Sequence, residues 1–578
     1  MGHILFKENF YYISPMIVLG MSAGHDRGVV LIKDGKILIG ITQSRLSRIK
    51  GDGGKYRDGG EGLPLLSIDY CLNQYGLSYD DVDLYVYSST ESFEGMEDQF
   101  EYHLKQPIEK LKFIPHHLAH AYSSFYSSGF KESAVVVADA MGNLIEETNS
   151  FGRRTENWYP DLKLPQLPEG SSWGESISIY HFKMDGYNEV FKKWQPFPHP
   201  YQTDGQGSLG TMYGMGTYQL VYNKEKNDWS AGKLMGLASY AEKDFVDSHS
   251  LSVKELEYDI SIQLIEFYPE VRYYSDFYQR ANVAGLYQRE QEQSSLILAR
   301  MAKRLTGSQN ICVAGGSFLN CNSNELIIKS DLYKNCYFVP PADDSGIPLG
   351  CAWYGYQSIS KMEKTTFLSP YLGKSYTKGE IKTEIDKFPE CESEYFENFD
   401  DLVDITSQYL SENKVIGWMQ GGSEIGPRAL GNRSILANPS KPWMEKNING
   451  LKGREWYRPF APAVLFEKQS EVFESDVFSP YMLVTTTVKE EWRDKIPAVT
   501  HIDNSSRHQS VTPDTNPKFY KLISEFYKKT KIPVLLNTSF NGPDEPIVET
   551  PYDALNTFVG RKLDILVIGN FLIKRKNF

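Results

Sequence analysis

The chain has 578 residues, 41% of them hydrophobic and 23% charged, with a formal net charge of −13. That length exceeds one ordinary core and predicts several folding units of about 150 residues each, while the acidic balance excludes general nucleic-acid binding, which needs a basic surface. No run of about 18 apolar residues offers a membrane span, and the opening MGHILFKENFYY lacks a basic stretch leading into a signal core, so a cytoplasmic protein is expected. The six cysteines are scattered without two-residue spacings, which argues for buried thiols rather than zinc fingers or a disulfide framework.

In chain order, residues 16–44 predict a strand ending at Gly20 and then two strands alternating about a turn at Asp34-Gly35. The small-residue loop between them, with Gly24 and Gly28, carries His25 and Asp26; strand, loop and hairpin make a nucleotide-handling opening. Residues 111–140 predict a helix followed by a buried strand Ala134–Ala138 that ends on Asp139. His116 and His120 lie four apart and so share one helix face. Two imidazoles one turn apart plus a carboxylate from an adjacent strand form half of a metal shell, although such a histidine pair also serves purely structural ends. His117 faces away from them.

Residues 151–208 are aromatic and proline-rich without clear periodicity, and read as strands and loops of an insertion; acceptor-binding residues are expected within 151–230. Residues 208–220 and 231–242 predict glycine-rich helices, where the recurrence of glycine points either to a ligand or to tight packing. The stretch 255–287 has a mixed helical pattern, and 290–305 an amphipathic helix leading to a strand over 310–314. The loop GGSFLNCNSN and a second helix follow; a strand, Gly315-Gly316 and a helix N-terminus together cradle phosphate. Residues 339–355 repeat this grammar, with Asp343 and Asp344 in the turn, where an acid also serves as a helix cap. No internal repeat or heptad is visible.

A polar, turn-forming stretch over 360–372 marks a boundary, giving units of 1–362 and 363–578, the second also α/β. In the second, Arg428, Arg433, Lys452, Arg454 and Arg458 interleave with Gly421, Gly422, Gly426, Gly431 and Gly453. Guanidinium forks grip phosphate oxygens, and glycines let backbone N–H groups approach the same anion. A charge run is usually a solvated face. Here a strand-like run, Val415–Met419, and the apolar Phe460–Phe466 flank the cations, which points to a partly buried site for a small polyanion.

The segments GPRALGNRS, KGREWYRPFAP and LLNTSFN, in that order, resemble the O-carbamoyltransferases of the nodulation-factor and antibiotic-tailoring type, which carbamoylate sugars, aminoglycosides, cephems and related natural products. The resemblance extends over nearly the whole chain. It implies an α/β protein with an N-terminal actin-like ATPase (ASKHA-type) domain, 1–362, followed by a YrdC-like domain, 363–578. The spacings Lys452-x-Arg454 and Ser539-x-Asn541 are similar to the signatures of YrdC-like domains, which make acyl-adenylates from ATP. With Arg507 and Gln509 they complete a pocket for carbamoyl phosphate and ATP, the latter with Mg2+, alongside Arg428, Arg433 and Arg458.

The same resemblance implies iron(II) or a similar divalent metal on His116, His120, Asp139 and Asp344. It also implies adenylate binding by Gly315, Gly316, Asn320 and Lys233, and transfer chemistry by His25, Asp26 and Asp228. Where the family reads Glu-Glu-Arg after the hairpin, this chain has Gln43, Ser44 and Arg45. The implied activity is ATP-dependent transfer of the carbamoyl group of carbamoyl phosphate, through carbamoyladenylate, to a hydroxyl of a small natural product in secondary-metabolite or antibiotic biosynthesis. One alternative is a tRNA threonylcarbamoylation-type enzyme, against which the acidic charge speaks; another is a nucleotide-binding scaffold without transfer activity, against which the intact anion motifs speak. A hydrogenase-maturation role would need paired Cys-x-x-Cys fingers, which are missing. Neither nucleic acid nor membrane is expected as a partner, and the residues single out no acceptor and no oligomeric state.

Overall fold

A computed structural model describes residues 16–24, 26–52, 62–90, 95–145, 164, 166–167, 169, 171–197, 207–222, 230–256, 259–261, 276–360 and 365–576. Of the expected features, His25, Asp228 and the 362/363 boundary lie outside them.

Two five-stranded sheets come first. Strands β1 (Ile17–Ser22), β2 (Gly28–Lys33) and β3 (Lys36–Thr42) form an antiparallel meander, and β4 (Leu84–Ser88) and β5 (Leu111–Phe113) add in parallel to give the order β3-β2-β1-β4-β5. The hairpin turns at Asp34-Gly35, both at positive φ (50° and 71°), the conformation whose twist matches the strands it joins. The second sheet uses β6 (Glu132–Ala138), β7 (Ser172–Lys183), β8 (Gly186–Phe197), β9 (Asn310–Ala314) and β10 (Asn335–Phe338) in the order β10-β9-β6-β7-β8. Again three antiparallel strands are extended by two parallel ones. The unit is therefore duplicated in topology, as in the actin-like fold, although no sequence repeat is visible.

Two expectations change. Residues 172–197 are not part of an insertion but two 12-residue strands of the second sheet. Gly174–Tyr180 is buried without interruption, polar Glu175, Ser176 and Ser178 included, so residue type there does not separate a core face from an exposed one. The helix expected from residue 290 begins at Phe277 and runs 30 residues to Thr306.

One contact sets up the site. Helix Ile347–Ile359 packs between the first sheet and helix His116–Tyr126, and a Cβ on its Gly350 would stand 1.8 Å from the Ala119 carbonyl oxygen. Only glycine permits that approach, which brings Asp344, just before the helix, to the two histidines.

The C-terminal sheet has eight strands: β11 (Cys391–Tyr395), β12 (Ile416–Met419), β13 (Arg433–Ala437), β14 (Ala461–Leu465), β15 (Gln509–Val511), β16 (Val534–Ser539), β17 (Ile565–Ile568) and β18 (Phe571–Arg575). Their order is β11-β18-β17-β12-β13-β16-β14-β15. Alternate residues face opposite ways along a strand, so Ile565 and Val567 enter one core with Trp418, and Leu566 and Ile568 enter another with Met419. Burial on both faces makes these strands read as continuous apolar runs. The described chain is thus α/β, an actin-like pair of sheets followed by an eight-stranded mixed sheet.

Candidate functional site

Helix His116–Tyr126 presents His116 and His120 to the end of β6, where Asp139 follows the last strand residue. His120 Nε2 lies 3.1 Å from Asp139 Oδ2 and 3.4 Å from Asp344 Oδ1; His116 Nε2 lies 3.6 and 3.4 Å from the same oxygens. Four donors about 2.1 Å from a tetrahedral metal stand about 3.4 Å from one another, so two imidazoles and two carboxylates with this spacing fit a divalent ion such as iron(II) or zinc. All four donor atoms lie within 4.8 Å of one another. Burial alone would lower the His116 pKa, but Asp344 and Asp139 outweigh it and push it up to about 10; the histidines depress Asp139 in return. His117 is directed elsewhere, its Nδ1 2.9 Å from Ser178 Oγ.

The Gly315-Gly316 loop runs against this cluster. Gly315 has φ +95°, and a Cβ there would meet the Ala138 carbonyl oxygen at 2.2 Å; one on Gly316 would lie 3.3 Å from Asp139 Oδ1. A side chain at either position would crowd the Asp139 strand end. Asn320 caps the following helix, Cys321–Lys329, by accepting the Ser323 N–H (3.2 Å), and exchanges hydrogen bonds with Gln288 (3.0 Å). Its side chain is therefore committed to the protein, which sets it apart from the glycines beside it.

The cations gather in a cavity of about 330 Å³. Lys452, Arg454, Arg458, Arg428 and Arg507 line it from the C-terminal part, Lys50 and Lys233 from the N-terminal part, and Ser539 and Asn541 complete its wall. Lys452 Nζ is anchored by Ser539 and by Asn541 Oδ1 (2.8 Å), which explains the paired Lys-x-Arg and Ser-x-Asn spacings. Burial first, then neighbouring cations, pull Lys452, Arg454 and Arg428 below their ordinary pKa ranges. Arg428 Nε is buried without a hydrogen-bond partner. Against seven cations, the carboxylates that line it among the described residues are Glu455 and Asp544. Uncompensated positive charge in a partly desolvated cavity is relieved by an anion of several charges.

Two expected members stand outside it. Arg433 has a fully buried side chain whose guanidinium donates to the carbonyls of Gln420 (2.8 Å), Gly421 (3.0 Å) and Glu549 (3.3 Å). It holds the loop rather than the ligand. Gln509 donates to the Leu430 carbonyl (2.8 Å) and accepts from Asn537 (3.0 Å), away from the cavity lining. Lys233, expected at the N-terminal adenylate site, opens instead onto the cation cavity. Asp26 is half-buried in the β1–β2 turn. Arg45 donates from Nη2 to the Gly426 carbonyl (2.9 Å), so it ties the hairpin to the Arg428 loop. Lys50, Ser230, Glu455, Asn537 and Asp544 line the cavity without having been singled out; of these, Glu455 sits inside KGREWYRPFAP and Asn537 inside LLNTSFN.

Fold and site together define an α/β enzyme with a largely buried two-His, two-Asp cluster in one part and a polycationic cavity at the junction with the other. The family description "Carbamoyltransferase N-terminus" matches residues 17–107 and 98–353, and "Carbamoyltransferase C-terminus" matches 407–575. The chain belongs to the carbamoyltransferase family and is an enzyme of carbamoyl transfer. It is 30% identical to the Nodulation protein NolNO of Sinorhizobium fredii, over 97% of this chain and 83% of that one. It is also 26% identical to the Nodulation protein U of Bradyrhizobium diazoefficiens, over 91% of this chain and 92% of that one. Among solved structures, full-length HypF in its phosphate- and nucleotide-bound form is similar over 61% of this chain and 48% of that chain, at 13% identity and a TM-score of 0.39.

Proposed function

We propose that this enzyme transfers the carbamoyl group of carbamoyl phosphate to a hydroxyl of a small acceptor, using ATP and passing through carbamoyladenylate. The observation that carries the proposal is the cavity lined by seven cations against two carboxylates. Such a lining suits the phosphates of both carbamoyl phosphate and Mg2+-bound ATP, each guanidinium contact contributing about 1.5–3 kcal/mol. Water first cleaves carbamoyl phosphate to carbamate and phosphate. A carbamate oxygen then attacks the α-phosphorus of ATP, the bond to the β-phosphate oxygen breaks, and pyrophosphate leaves. Arg428, Lys452, Arg454, Arg458 and Arg507 hold the oxygens on which charge develops.

The adenylate phosphate then sits on the Gly315-Gly316 loop, and the acceptor oxygen attacks the carbamoyl carbon as AMP departs. His25 is the expected acceptor of the hydroxyl proton, with Asp26 and Asp228 as its expected companions. His116, His120, Asp139 and Asp344 would hold a divalent ion, iron(II) being the family's expectation, which supplies a Lewis acid for a carbonyl oxygen. Glu455, paired with Lys233, keeps one lysine aligned at the junction (2.7 Å). Incubation of the purified chain with ATP, carbamoyl phosphate and a panel of polyhydroxylated acceptors should give pyrophosphate, AMP and a carbamate ester in step with one another. Carbamoylation that proceeds equally well without ATP would overturn the reading.

A further inference from the structure

Glu175 has a fully buried side chain at a bulge of β7, where the register against β8 shifts between Glu175 and Ile177. A bulge re-aims the side chains beside it, and this carboxylate meets donors on both oxygens. Oε1 receives the Lys192 ammonium. Oε2 receives the backbone N–H groups of His117 (3.3 Å) and Asn143 (3.2 Å). Asn143 in turn accepts the N–H of His116 through Oδ1 at 2.7 Å.

The first N–H groups of a helix have no partner within it, and the residue at the cap of helix His116–Tyr126 is Pro115, which offers no side-chain acceptor. Asn143 and Glu175 satisfy two of those N–H groups, of His116 and His117, from elsewhere in the chain. The same pair also ties down the segment that follows Asp139. Gly142 N–H donates to the Glu175 carbonyl (2.8 Å), and Glu175 N–H donates to the Asn143 carbonyl (3.0 Å). One residue thus grips both the start of the helix that carries His116 and His120 and the chain leaving Asp139. A buried carboxylate is costly unless paired, and Lys192 supplies the pair while itself reaching Glu189 at 3.0 Å. Burial would raise the Glu175 pKa, but Lys192 outweighs it.

We propose that Glu175 is a positioning residue of the metal centre, fixing the spacing between the His116–His120 helix and the Asp139 strand end, with Asn143 as its relay. The inference rests on the metal reading given above. Glu175→Gln keeps the shape but turns an amide NH2 toward donors on one side; Asn143→Ala removes the acceptor for His116 together with the donor to the Ser89 carbonyl, and leaves the Asn143 backbone bonds to Glu175 in place. The full chain and both variants are titrated anaerobically with Fe(II), and with Co(II), whose visible spectrum reports coordination geometry. Both variants should bind metal about ten- to a hundredfold more weakly and show an altered Co(II) spectrum, while ATP-dependent pyrophosphate release stays at the wild-type rate. Wild-type affinity and spectrum in both variants, even with a lowered unfolding temperature, would reduce Glu175 to a purely structural residue and overturn the proposal. Should Glu175→Gln not fold, Asn143→Ala decides alone. A wild-type chain that binds neither ion would instead overturn the metal reading itself.

Discussion

Lys233 and Glu455 form an ion pair at 2.7 Å across the junction between the actin-like part and the C-terminal part of the chain. Lys233 comes from helix Ala231–Ala238 and is buried, whereas Glu455 lies in the loop that carries Lys452, Arg454 and Arg458. Replacing Lys233 with Met leaves Glu455 with Arg458 as its remaining partner at 3.8 Å, and so draws that guanidinium away from the anion. KM for ATP should rise about tenfold, the scale of one charge-assisted hydrogen bond, and the second change Glu455→Gln should recover most of it. Steady-state kinetics on wild type, Lys233→Met and the double variant check this; no recovery in the double variant would show that Lys233 acts on the anion alone.

Arg454 and Arg433 belong to one sequence cluster but should fail in different ways. Arg454→Ala removes a cation from the cavity lining, so pyrophosphate release should be lost while the unfolding midpoint stays near wild type. Arg433→Ala strips donors from a group of buried carbonyls and leaves Glu549 without its neighbour at 3.9 Å. Removing one partner from such a buried network costs about 3–5 kcal/mol, which denaturant unfolding would register before any assay does.

The pH behaviour of the cluster follows from the competition of metal with protons. In the metal-free protein the His116 pKa is raised to about 10, since Asp344 and Asp139 outweigh burial. A raised folded pKa contributes stability that is fully present below the unfolded value of about 6.5 and is lost as pH rises through the folded one. Metal-free protein should therefore lose stability between neutral pH and about pH 10, and loaded protein much less. Metal binding should tighten over the same range, because the imidazoles must shed protons to bind it. Thermal unfolding with and without Fe(II), repeated across pH, separates the two effects.

Gly315→Ala places a methyl group 2.2 Å from the Ala138 carbonyl at φ +95°, and so pushes on the strand end that carries Asp139. Transfer and metal content should both fall by at least about tenfold, with pyrophosphate release retained. Metal analysis alongside a pyrophosphate assay checks it.

Legibility in the sequence varied with the physics of each element. Hairpin β2–β3, with its Asp34-Gly35 turn, and the strand over 310–314 were readable because local chemistry specifies them: turn residues at positive φ, and an apolar run leading into Gly-Gly. His116, His120 and Asp139 were legible as a group because helix and strand periodicity bring them together, whereas Asp344 reaches them through a Gly350–Ala119 contact that no local pattern records. Strands β7 and β8 are hard to read, and Glu175 with them, because β7 buries polar Glu175, Ser176 and Ser178 alongside its isoleucines while β8 is only partly buried along most of its length, so residue type does not mark a core face in either. Arg433 shows the opposite error. A guanidinium among glycines reads as an anion ligand, but whether its donors face a cavity or backbone carbonyls is decided by tertiary packing, as with Gln509 and Asn320.

On the proposed function, activation takes place at the cation cavity and transfer at the two-His, two-Asp cluster. Pyrophosphate release and carbamoylated acceptor, measured together in the full chain with ATP and carbamoyl phosphate, test it most directly when His120→Ala is set beside Arg454→Ala. His120→Ala should keep releasing pyrophosphate but make no carbamate ester, and Arg454→Ala should do neither. Undiminished pyrophosphate release in Arg454→Ala, or its disappearance in a folded His120→Ala protein, would contradict the division of labour between the two sites.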